Sequence, residues 1–109
     1  CGGCLEVAKP EGVFTGPRLR GEARVVNAIA VKRGASDPNR VILITAHLDS
    51  RVSDVMDAVS DAPGANDDAS GVAAVIEAAR LLSQEELAAT VVFAALTGEE
   101  QGLFGARAL

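Results

Sequence analysis

The stretch VILITAHLDS at residues 41–50, answered after a polar interval by TVVFAALTGEE at residues 90–100, decides the fold. Each opens as an unbroken apolar run of strand length. Such runs suit strands covered on both faces, as in the middle of an α/β sheet. Between them, GVAAVIEAARLL at residues 71–82 carries Val72, Val75, Ile76, Ala79 and Leu82 at helical spacing, with Glu77 and Arg80 on the other side. Strand, loop, helix and strand make a βαβ crossover, for which a right-handed path and two parallel strands are expected.

Working outward, ARVVNAIAVKR at residues 23–33 is rich in branched apolar residues and reads as a strand. Residues 34–39, GASDPN, are dense in turn formers, and so short a turn predicts an antiparallel hairpin between this strand and residues 41–46. Residues 1–22 contain Pro10, Pro17 and several glycines and read as an irregular or edge segment; residues 23–109 form the sheet core. A second helix is expected from Gly102 onward. The fold class is therefore α/β, with a mixed sheet built from an antiparallel hairpin followed by a right-handed βαβ unit.

Composition narrows the function classes. With 109 residues, 49% of them apolar and 23% charged, the chain is long enough for one globular domain. A net charge of −5, no basic run and three Phe without Tyr or Trp give nucleic acid nothing to bind. No apolar run approaches the length of a bilayer span, so no membrane partner is expected. The chain begins with Cys1 and ends inside an expected helix, which suggests a segment of a longer polypeptide. Cys1 and Cys4, as CGGC, lack the preceding strand of a redox pair and the further ligands of a zinc knuckle; a local disulfide stays open.

Three polar motifs fall where an α/β sheet places its ligands, beyond the carboxyl ends of its strands. His47-Leu48-Asp49 offers an imidazole and a carboxylate able to accept its other ring N–H, which fixes the tautomer. Alone, it is also what a strand end with an exposed Asp looks like. Asp67-Asp68 offers carboxylates whose paired oxygens can share two metal ions, or ordinary caps for the following helix, a role open to Ser70 as well. Thr97-Gly98-Glu99-Glu100 offers a ligand and a neighbouring base, or a capping box before the last helix. Together, one His and several carboxylates on one sheet edge suit zinc in a hydrolytic site. The remaining loop acids, Asp54, Asp57 and Asp61, read as a solvated rim, with a calcium site as the lesser alternative.

TAHLDSR at 45–51, APGANDDASGVAAVIEAARLL at 62–82 and VVFAALTGEEQGLFGARAL at 91–109, in that order, resemble the two-zinc aminopeptidases of metallopeptidase family 28. VVNAIAVKRG at 25–34 is similar to the strand preceding the first motif there. The resemblance implies a partial three-layer zinc-exopeptidase fold, with the chain as the N-terminal part of the catalytic domain. It implies two Zn2+ ions per complete site and a peptide substrate. His47 would bind one zinc, Asp67 bridge both and Glu100 bind the other. Glu99 would be the general base, Asp49 would orient His47, and the Asp67–Asp68 peptide would be cis. The family's two further ligands would lie beyond Leu109, so the 109-residue chain alone is expected to bind zinc weakly and lack peptidase activity. A carboxypeptidase, a catalytically inactive peptidase-like binding domain and a one-zinc cyclising acyltransferase share the fold as alternatives. By family analogy alone, the compartment would be secreted or periplasmic.

Overall fold

The computed structural model describes residues 4–109. Six strands and two helices follow in order: β1 (Glu6–Ala8), β2 (Glu11–Phe14), β3 (Ala23–Val26), β4 (Ala28–Lys32), β5 (Asp37–His47), α1 (Ser70–Leu82), β6 (Ala89–Leu96) and α2 (Phe104–Arg107). The main sheet has the order β1-β4-β6-β5, and β2 and β3 form a separate two-stranded ribbon. The reading that joins Cys1 to Cys4 involves Cys1, which lies outside the described residues.

The strand ATVVFAAL, β6, carries no charge and is the organising element. Thr90, Val91, Phe93 and Ala94 are buried, and the strand has partners on both edges, β4 antiparallel and β5 parallel. The mixed α/β sheet is thus as expected, but the hairpin is not. β4 and β5 run in opposite directions without pairing, because β6 lies between them. An apolar strand with two competent neighbours satisfies both rows of backbone groups by sitting between them. The connection allows it: two inter-strand steps amount to about 9.5 Å, and residues 33–36 reach about 13 Å when extended. The link crosses the start of β6, where Ala35 N–H donates to Leu87 O (2.8 Å) and Asp37 N–H to Ala88 O (2.9 Å). Gly34 is required there, since a Cβ would collide with the Ala88–Thr90 backbone.

Two further expectations change. Residues 23–33 are two strands, because buried Asn27 turns its side chain to other partners and the chain changes sheets at that point. Residues 41–46 are not buried on both faces. As the outer strand, β5 leaves Val41, Ile42 and Leu43 at 58%, 44% and 51% exposure. Its inner end is covered: Ala46 joins Val75, Val91 and Phe93 in the core, flanked by Ile44, Val72, Ala79 and Leu82. α1 spans the predicted residues, although Ile76 faces outward at 63% exposure. On its outer side Arg80 pairs with Glu77 at 2.6 Å. The final helix is a single turn, α2, whose Phe104 stacks on Phe14 at 5.0 Å between ring centroids.

Candidate metal and catalytic site

The parallel β5–β6 register sets His47 level with Leu96. Leu48 N–H donates to Leu96 O at 2.7 Å, so the residues leaving both strands start from the same height. The chain then enters a long loop and returns through a kinked turn at Ala65–Ala69, where the Asp67–Asp68 peptide is cis. Asp68 fastens that turn to the sheet. Its carboxylate accepts from His47 N–H (3.1 Å) through one oxygen and from Gly71 N–H at the start of α1 (3.1 Å) through the other.

These connections bring the three sequence motifs together. One ligand atom from each of His47, Asp67 and Glu100 lies within 4.8 Å of the other two. His47 Nε2 is 3.0 Å from Asp67 Oδ1 and 3.8 Å from Glu99 Oε2. Asp67 faces an open cleft of about 500 Å3 lined also by Arg51, Ser53, Gly64, Asn66 and Glu100.

Asp49 acts differently from the expectation. The His47 ring Nδ1–H donates to the Asp49 backbone carbonyl at 2.9 Å, while the carboxylate stands 3.7 Å from that nitrogen. The carboxylate instead accepts from Glu99 N–H (3.1 Å) and Glu100 N–H (3.0 Å). Two adjacent amides of a tight turn present a better-aligned pair of donors than one ring N–H. Asp49 thus sets the imidazole with its main chain and the Glu99-Glu100 turn with its side chain.

The capping-box reading of Thr97 and Glu100 also gives way. Thr97 Oγ1–H donates to Val26 O (2.9 Å), and Glu100 pairs with Arg51 at 3.1 Å. Gly98, at φ 73°, makes the turn that Thr97 and Glu99 flank. Two of the loop acids bind backbone: Asp54 accepts from Met56 N–H at 2.9 Å, and Asp57 from Val59 N–H (2.9 Å) and Ser60 N–H (3.0 Å). Among the described residues, the one group of three or more His, Cys, Asp or Glu side chains placed to hold a metal is His47, Asp67 and Glu100.

Asn27 was not singled out in the sequence. It is the largest fully buried side chain, at 1% exposure. Its Nδ2–H donates to Gly105 O (2.7 Å) and its Oδ1 accepts from Thr97 N–H (3.1 Å), tying both ends of the Glu99-Glu100 turn. The available signal was one amide inside an apolar run, VVNAIAV.

The donor set fits zinc. A carbonyl only accepts, so the bond to Asp49 O places a proton on Nδ1, and Nε2 is the ring nitrogen that faces the carboxylates, donating to Asp67 Oδ1 at 3.0 Å. That is the nitrogen a metal takes. Burial opposes charging of His47, but the Asp49 carbonyl and the Glu99, Asp49 and Asp67 carboxylates outweigh it and hold the imidazole above its ordinary pKa. A divalent cation replacing the Nε2 proton answers the same negative field. One imidazole and two carboxylates match zinc's ligand preferences in hydrolytic sites.

The sequence model of peptidase family M28 matches residues 27–109. The chain is 53% identical over 89 residues to a probable zinc metalloprotease of Leptosphaeria maculans, covering 82% of this chain and 21% of that one. It is 49% identical over 107 residues to a probable zinc metalloprotease of Pyricularia oryzae, covering 95% of this chain and 21% of the relative. Its structure resembles the aminopeptidase from Aneurinibacillus sp. strain AM-1, with a TM-score of 0.64 and 36% identity, over 80% of this chain and 20% of that one. The chain thus spans about a fifth of the length of these relatives. Among the described residues, no helix is long and apolar enough to cross a membrane.

Proposed function

The chain belongs to peptidase family M28, and from that premise we propose that the full-length protein is a zinc aminopeptidase that hydrolyses the N-terminal peptide bond of its substrate. The observation that carries this reading is the convergence of His47, Asp67 and Glu100 within 4.8 Å, with Glu99 beside them. His47, Asp67 and Glu100 would hold the zinc, with His47 and Glu100 each serving one ion of a complete site and Asp67 serving both. Bound zinc supplies a Lewis acid that acidifies water and polarises the peptide carbonyl. Glu99 is the general base: its carboxylate takes the proton of the attacking water and passes it to the leaving amine nitrogen. Asp49 acts by position, holding His47 at Nδ1 and the amides of Glu99 and Glu100. The aminopeptidase reading, over a carboxypeptidase, leans on the structural neighbour's activity.

The test is Glu99→Gln in the full-length protein, assayed on aminoacyl-nitroanilides. We expect kcat to fall by about 10²–10⁴-fold while zinc content stays at the wild-type level. A Glu99→Gln enzyme with wild-type kcat, or a His47→Ala protein with undiminished zinc, would remove the basis for this assignment.

A further inference from the structure

Arg51 follows His47 by four residues on the loop leaving β5, and its Nε lies 3.1 Å from Glu100 Oε2. The pair is asymmetric: the Glu100 side chain is 12% exposed, that of Arg51 40%. Glu100 therefore keeps its carboxylate largely out of water, in a neighbourhood that also holds Asp49, Asp67 and Glu99. A carboxylate so placed is costly without a counter-charge. The other cation nearby, His47, turns its ring nitrogens to Asp49, Asp67 and Glu99 instead. Arg18 also reaches Glu100, but it donates to the backbone carbonyl at 3.1 Å and leaves the carboxylate alone.

We propose that Arg51 is a stand-in cation for the metal site, its guanidinium neutralising Glu100 in the metal-free protein and yielding that carboxylate when zinc binds. The inference rests on the reading of Glu100 as a zinc ligand. A guanidinium held on Glu100 Oε2 draws down the negative charge that this carboxylate can offer a metal ion, so the two cations compete for it. Zinc loading thus trades one cation for another, and the site never holds its carboxylates unopposed. The half-exposed guanidinium has somewhere to go, because it already lines the open cleft beside Asp67. Arg51 is a positioning residue in this scheme, since it acts on the metal through Glu100.

The experiment uses full-length protein stripped of metal and titrated with zinc alone against a chelator of known affinity. Arg51→Gln should bind zinc about tenfold more tightly, because no ion pair must be broken first. Its metal-free form should melt lower than wild type, while the zinc-loaded form should melt at the wild-type temperature. Arg18→Gln controls for charge at a distance and should leave zinc affinity unchanged. Weaker zinc binding by Arg51→Gln, equal destabilisation of both its forms, or equal tightening by Arg18→Gln would overturn the proposal. A wild-type readout stands beside the variants: phenylglyoxal labelling of Arg51, followed by peptide mass spectrometry, should rise on zinc addition, and labelling that stays level or falls argues against displacement. His47→Ala separates the two layers. If it binds zinc as wild type does, the metal-site reading itself fails; if it loses zinc while Arg51→Gln shows no tightening, only the role of Arg51 fails.

Discussion

Asp49 concentrates more of the site than any other single residue. Its carbonyl fixes the His47 tautomer, and its carboxylate grips the main chain of the Glu99-Glu100 turn. These two functions respond differently to substitution. Asp49→Asn leaves the carbonyl in place but presents an amide NH2 to one of two backbone N–H donors. It should lower stability by about 1.5–3 kcal/mol in denaturant unfolding, the scale of a hydrogen bond to a charged group. If Asp49 worked through its carbonyl alone, Asp49→Asn would be silent. Asn27 makes the complementary case: Asn27→Leu keeps the volume but strands Gly105 O and Thr97 N–H in the interior. An expected cost of about 1–3 kcal/mol per unsatisfied group follows. Neither partner assignment could be read from the sequence, because Asp49 meets residues fifty and fifty-one positions away.

At the scale of elements, the loop between β5 and the Ala65–Ala69 turn is held by short-range acid-to-backbone bonds. Asp57 is the centre of this arrangement. The Ser60 hydroxyl, then the Ser60 and Val59 amides, draw its pKa down to about 2. A lowered folded value means that the contribution to stability is present above the unfolded pKa of about 3.9 and is lost as pH falls through about 2. An NMR titration of the Asp57 carboxylate should therefore show a midpoint near 2, and Ser60→Ala should move it upward. A midpoint at the ordinary aspartate value would show the loop to be open in solution. These turns are local, and the abundance of Asp in the loop announced them. The partner of β5 was not local, and the short connection of residues 34–36 concealed β6 passing beneath it.

For the whole molecule, the outer edge of β5 decides behaviour in solution. Val41, Ile42 and Leu43 combine unpaired backbone on one side with exposed apolar side chains, the combination that templates edge-to-edge association. The isolated 109-residue chain should self-associate in analytical ultracentrifugation, and Leu43→Lys should shift it toward monomer. A monomeric wild-type chain at the same concentration would show that the edge is protected in some other way. Sequence by itself determined β5, α1 and β6, their βαβ order and the arrival of His47, Asp67, Glu99 and Glu100 on one sheet edge, because periodicity and strand direction are properties of neighbours along the chain. Tertiary structure decided that β6 separates β4 from β5, that Asn27 and Asp49 lock the Glu99-Glu100 turn, and that Arg51 faces Glu100. Those outcomes depend on which remote groups compete for the same donor, acceptor or strand edge, and that competition is settled only when the chain is folded.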